Sequence, residues 1–256
     1  MLNYMKSEWY RQCNNRGLQI TFLICLGLLV LMTAVLAFFG RQPGFAYAST
    51  GFALRGIYTS MSGIFPLTMV FAAFMENNSR TRQSPLKNSV AFGIPRSTIY
   101  LGKFLVQLLV CTGIFLILPA VLSLLSWLFL KHSNEGEWYY LVHSMIGGYP
   151  LCVFMLSVCF CFLFNIGNSM SGIIPIFVIV YILPKLFLLL GMKYPVFAEI
   201  SQWCPVSMLD LYFDESGIHF YWDTPATLLR TYLAGLGGTL IFLFAGLYWL
   251  NRREIK

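Results

Sequence analysis

The sequence predicts an all-α integral membrane protein with six transmembrane helices, and three observations carry that class. The chain is 58% hydrophobic and 11% charged, with a mean hydropathy of +0.71, whereas a soluble domain carries roughly 25% charge. It holds six apolar runs, at about 18–39, 57–75, 101–130, 146–166, 170–190 and 228–250. Each reaches the roughly twenty residues that cross a bilayer core. The charge is also sided. With the N-terminus in the cytoplasm, Lys6, Arg11, Arg16, Arg80, Arg82, Lys87, Arg96, Lys103, Arg252, Arg253 and Lys256 fall inside, eleven of seventeen basic residues, against only Glu8, Glu76 and Glu254. Basic residues in short loops stay on the side of insertion. Both termini are therefore expected in the cytoplasm and the chain in a plasma or inner membrane. The net charge of +7 then belongs to loops facing anionic headgroups, and no nucleic-acid partner is expected.

Residues 1–17 read as an N-terminal interfacial amphipathic helix ahead of a six-span domain, 18–256. Leu2, Met5, Trp9 and Cys13 share one helical face, with Tyr4 and Tyr10 beside them and Lys6, Arg11 and Arg16 elsewhere. That pattern suits a helix lying in the headgroup layer. The first apolar run is long and follows this polar stretch, so it is not read as a cleavable signal peptide. The second span opens with the small polar residues Tyr58, Thr59, Ser60, Ser62 and Gly63 among its first turns, of the kind that lets helices approach closely or lines a polar path. Pro119 is expected to kink the third span. The fifth carries Pro175 and Pro184, with Lys185 near its outer end. The outer linker from Gly191 to Thr227 is rich in apolar residues, among them Trp203, Met208, Leu209, Leu211, Tyr212 and Phe213. Short re-entrant helices dipping into the outer leaflet are expected there, covered by protein. Gly235, Gly237 and Gly238 favour close contact of the last helix with a neighbour.

The inner loop between the second and third spans is the most informative. Ser84 is a good N-cap and Pro85 a good first helical residue. Gly93 is a natural terminator with Pro95 just beyond, so a short helix is predicted over 84–93. Leu86, Val90, Ala91 and Phe92 give it an apolar side, with Lys87 and Asn88 opposite. A short amphipathic helix held away from the membrane calls for a groove on a partner, or else lies on the lipid surface. Ser97 is expected to cap the next helix.

This order of elements resembles the permease subunits of type-2 ATP-binding-cassette exporters. In that family a glutamate follows the second span, and a short coupling helix comes next. A run like Gly93-Ile94-Pro95-Arg96-Ser97-Thr98-Ile99-Tyr100-Leu101-Gly102-Lys103-Phe104 then leads into the third span. The closing Asn251-Arg252-Arg253-Glu254-Ile255-Lys256 is similar to the usual end of these chains, and the resemblance runs over essentially the whole sequence. The stretch after Glu76 departs from the common glycine-containing version, reading Asn-Asn-Ser-Arg-Thr-Arg. The resemblance implies that Glu76, Leu86, Lys87, Val90, Ala91, Phe92 and Arg96 couple to a cytoplasmic ATPase dimer. It implies a second permease, identical or related, because six spans make half a pore. Phe65, Met69, Phe71 and Phe74 would line that path if the second span faces the dimer axis. The implied cargo is amphiphilic: an antimicrobial peptide of the lantibiotic kind first, a drug or lipid-linked compound next.

The chain carries no GxxxxGK[ST], so ATP and magnesium belong on the partner and no cofactor is expected here. No HExxH, GxSxG, DxxxD or DDxxD falls in a span, so an intramembrane enzyme is disfavoured and no catalytic or metal residues are assigned. An ion-driven transporter or an accessory membrane subunit are the alternative classes. The former normally shows paired ionisable groups at the midplane or an inverted repeat, and neither is present. His132, His143 and His219 lie far apart and are read as solvated or interfacial. Lys185 is read as snorkelling to headgroups. Asp210, Asp214, Glu215 and Asp223 are read as a solvated outer face that also suits a cationic peptide. Of the seven cysteines, Cys25, Cys111, Cys152, Cys159 and Cys161 lie in apolar spans and are read as small packing residues.

Overall fold

The computed structural model describes residues 2–42, 45, 47–76, 93–133, 136–166, 169–209, 212–214 and 217–252. Helix α1 (Leu2–Cys13) precedes α2 (Arg16–Phe39). Helices α3 (Thr50–Thr59) and α4 (Ile64–Glu76) meet at a 3-10 turn, Met61–Gly63. Then come α5 (Arg96–Phe129) and α6 (Gly136–Asn165). Helices α7 (Ser169–Phe177) and α8 (Leu183–Gly191) are joined through a π-helical turn, Val178–Ile182. The chain closes with α9 (Pro195–Gln202) and α10 (Pro225–Arg252). The strands among the described residues, β1 (Tyr212–Asp214) and β2 (Gly217–His219), form one antiparallel hairpin pairing Tyr212 with His219.

Five helical segments are long and apolar enough to cross a membrane: α2, α5, α6, 171–191 and α10. The α3–α4 pair passes the same test when taken together, bent by 53°. The chain is a multi-pass membrane protein. The second apolar element starts at Thr50, earlier than its hydropathy indicates, and breaks at Ser60. There the backbone tightens, with Ser60 N–H donating to Ile57 O at 3.1 Å and Gly63 N–H to Ser60 O at 2.8 Å. Thr59 and Thr68 also return their hydroxyls to the carbonyls of Arg55 and Ile64, each at 2.6 Å, a pattern that bends helices.

Helix α5 runs unbroken through Pro119 for 34 residues, about 51 Å at 1.5 Å per residue, well beyond a hydrocarbon core of about 30 Å. The widened turn at Val178–Ile182 directly precedes Pro184, whose ring and missing N–H disfavour an ordinary turn there. Helix α6 is the centre of the bundle. Its most apolar window is 83% buried, against 6% in α2. Helix α10 packs along it through small residues. A Cβ on Gly235 would stand 2.7 Å from the Pro150 backbone, and one on Gly238 would stand 2.6 Å from the Phe154 ring. Gly237, expected in the same contact, faces open space.

Where short re-entrant helices are expected, the described residues of the linker from Gly191 to Thr227 hold α9, a 3-10 turn at Ser207–Leu209 and the hairpin. Met208, Leu209, Phe220 and Trp222 are buried, so part of its apolar content covers protein. Trp222 fills the notch at Gly147, where a Cβ would meet the indole at 2.2 Å, and its Nε1 donates to His143 O at 3.1 Å.

Candidate functional site

Helix α4 ends in a carboxylate. The C-terminus of a helix carries partial negative charge and unsatisfied carbonyls, so an anion there needs local compensation. Glu76 receives it from one face of α5, where Lys103 and Gln107 stand one turn apart. Lys103 Nζ donates to Glu76 Oε2 at 2.7 Å and Gln107 Nε2 to Glu76 Oε1 at 2.5 Å. All three residues are buried, and the Lys103 ammonium also lies 4.9 Å from the Phe164 ring centroid on α6, a cation–π contact.

The exposed carbonyls of α4 are taken up by α1. Gln12 Nε2 donates to Met75 O at 3.2 Å and Asn15 Nδ2 to Phe74 O at 2.8 Å. Asn15 Oδ1 meanwhile caps α2, accepting from Gly17 N at 3.1 Å and Leu18 N at 3.4 Å. Glu8 joins this polar side by accepting from Arg11 and from Gln12. Tyr4 packs on α5 at Gly102, where a Cβ would approach its ring to 3.1 Å. Burial, and then the Glu8 charge, push the Tyr4 phenol above its ordinary value. Burial alone would lower Arg11, yet its bond to Glu8 carries it above the ordinary guanidinium value.

Helix α1 and the turn after it thus dock on α4 through Gln12 and Asn15, with Glu8 buried beside them, while Trp9, Tyr10 and Cys13 stay exposed. Sequence reasoning selected Trp9 and Cys13 for the headgroup layer and passed over the polar stripe. The signal was available: Glu8, Gln12 and Asn15 recur at helical spacing. So was Lys103–Gln107, a polar pair one turn apart at the start of an apolar span.

Of the residues assigned to ATPase coupling, Leu86, Lys87, Val90, Ala91 and Phe92 lie outside the described residues. Gly93 has φ +79°, the left-handed backbone that suits a helix-terminating glycine. Arg96 starts α5 and reaches back to the last turn of α10, donating from Nη1 to Leu250 O at 3.4 Å and Asn251 O at 3.5 Å. A cation at these terminal carbonyls is favourably placed. Pro95 occupies the N-cap position of α5 with no side-chain bond. Ser97 therefore sits inside the first turn instead of capping it.

The four residues assigned to a path do not share one face. Phe65 and Phe71 are buried in the chain's own bundle, Met69 packs against the same core, and Phe74 is exposed beside Gly17. A partly open cavity of about 530 Å³ lies between α2, the α3–α4 break, α5 and α6, with Phe71 in its wall.

Two further polar groups sit at the other end of the bundle. Glu137 accepts from Arg55 Nη2 at 3.1 Å and from the Tyr58 hydroxyl. Asp223 joins two histidines read as separate, meeting His143 Nε2 at 3.0 Å and His219 Nδ1 at 3.3 Å. Among the described residues no group of three or more His, Cys, Asp or Glu is arranged to hold a metal. Lys185 is exposed.

Against family models, curated proteins and solved structures, the chain gives no significant match.

Proposed function

We propose that this chain is the transmembrane permease subunit of an ATP-binding-cassette exporter. It pairs with a second permease, identical or related, and with a cytoplasmic ATPase dimer that holds ATP and magnesium. The cargo is an amphiphile leaving the membrane or cell, an antimicrobial peptide first and a drug or lipid-linked compound next. In this reading the bent α3–α4 element is one span, so the chain crosses six times with both termini in the cytoplasm.

One observation carries the reading. Glu76 and Arg96, the residues that flank segment 77–92 among those described, are each tied to a neighbouring helix. On one side Glu76 is held by Lys103 and Gln107, and on the other Arg96 clasps the end of α10. A pull on the loop is therefore delivered to α4, α5, α10 and, through Gln12 and Asn15, to α1. Helix α5 carries it across the bundle as one continuous 34-residue helix. A partner that prefers one loop position shifts the bundle between states by that differential affinity alone.

The test is co-purification from native membranes. The intact chain is expected to bring down a cytoplasmic subunit with a phosphate-binding loop. The triple variant Leu86→Asp, Val90→Asp, Phe92→Asp is expected to lose it while still inserting and folding. If neither version retains an ATPase, the exporter reading fails and the ion-driven or accessory classes replace it.

A further inference from the structure

Helix α2 is held at its ends. Its buried residues are Leu18, Thr33 and Leu36, and between Gln19 and Met32 none is buried. Along that stretch, where contact with the core is limited to half-buried side chains such as Phe22, Cys25 and Met32, Cys25, Leu28, Leu29 and Met32 line the cavity of about 530 Å³. The facing wall is the break between α3 and α4, at Ser60, Met61 and Gly63, and the floor is α5 from Cys111 to Leu122. The cavity exists because α2 does not close onto a helix pair that bends by 53° beside it.

Its size is that of ligand pockets, about 300–1,000 Å³. Its chemistry excludes a water-filled channel. Apart from Ser60, Thr68 and three thiols, the lining side chains are apolar, and the Thr68 hydroxyl is engaged by Ile64 O at 2.6 Å. A buried water needs two to four polar partners. The cavity is partly open, so its apolar lining is covered by whatever apolar matter surrounds the bundle. The remaining occupant is hydrocarbon. A bilayer supplies it, since Leu28 and Leu31 on α2, beside the cavity, are strongly exposed and lipid tails are as apolar as these side chains. The stretch of α5 from Cys111 to Leu122 is about 16 Å long, close to half of a hydrocarbon core of about 30 Å.

We propose that this cavity binds one acyl chain of a membrane phospholipid, which enters past the middle of α2 and lies along α5 within a single leaflet. The site is internal to one chain and stands whether or not the exporter reading holds. Gly63 is the control point. No atom lies within 4 Å of a Cβ placed there, so a larger side chain would grow into the cavity without a clash at its root.

The test uses the full chain in phosphatidylcholine vesicles doped with phosphatidylcholine bearing a diazirine on one acyl chain, with adducts mapped by mass spectrometry after irradiation. Adducts are expected at Leu29, Met61 and Phe115 in the cavity, as well as at Leu240, Ile241 and Phe244 on the exposed face of α10. Gly63→Leu is expected to cut the cavity adducts about tenfold and leave the α10 adducts unchanged. Gly56→Val, which meets only Met32 Cε at 3.6 Å, serves as a second plug should the first variant misfold. Wild-type labelling on α10 with none in the cavity overturns the proposal, without any variant. So does a folded plug variant whose cavity adducts persist.

Discussion

Glu76 and Lys103 form the pair on which the junction of α4 and α5 depends. Removing one partner of a buried ion pair leaves an uncompensated charge, costing about 3–5 kcal/mol, whereas removing both costs far less. Lys103→Met is therefore expected to lower the unfolding midpoint in detergent sharply, and adding Glu76→Gln is expected to recover most of the loss. A double variant as unstable as the single would show that the pair is not what holds α4 to α5. At this scale the sequence was half legible. Glu76 stood out only through the family resemblance, and Lys103 registered as one more inside charge. Nothing local says that two charges 27 positions apart meet, because the intervening loop decides it. Asn15 was missed for the opposite reason. Its two roles, capping α2 and holding Phe74 O, need α1 and α4 side by side, which periodicity in either helix alone does not report.

At the scale of elements, the last helix gives the clearest test. Its buried residues are Thr231, Gly235, Thr239, Gly246 and Leu250, a stripe of mostly small residues at helical spacing from which Gly237 departs. Gly235→Val is expected to push α10 off Pro150 and cost about 1–3 kcal/mol or more by overpacking. Gly237→Val, with open space before it, is expected to be nearly silent in the same melt. Equal losses would contradict the packing described. The phase of that stripe could be read from the sequence, whereas counting three nearby glycines together hid it. The break at Ser60 was less legible. A run of small polar residues reads equally well as a close-packing face and as a weak point, and the tertiary neighbours choose between them. In the linker from Gly191 to Thr227, aromatic content alone does not separate a segment dipping into lipid from one covering protein. Trp222 in the Gly147 notch belongs to the second kind.

For the whole molecule, the multi-pass helical class and the rough position of five spanning helices were legible, while the arrangement was not. Helix α6 is the central one and α2 the peripheral one, yet both are apolar all round. Lipid tails are as apolar as a protein core, so hydropathy cannot rank helices by depth in the bundle. The same degeneracy hid the cavity, whose lining residues look like any lipid-facing set. What the assembled bundle adds to the functional reading is mechanical continuity. Glu76 and Arg96, on either side of segment 77–92, bond to α5 and α10, which is what the proposed coupling to an ATPase would use. The most direct measurement places a photo-crosslinking residue at position 90 of the full chain and irradiates native membranes. The account predicts a covalent adduct to a cytoplasmic chain carrying a GxxxxGK[ST] motif, with none from the same residue at position 240. Adducts at position 90 to lipid alone, or to no protein, would contradict it.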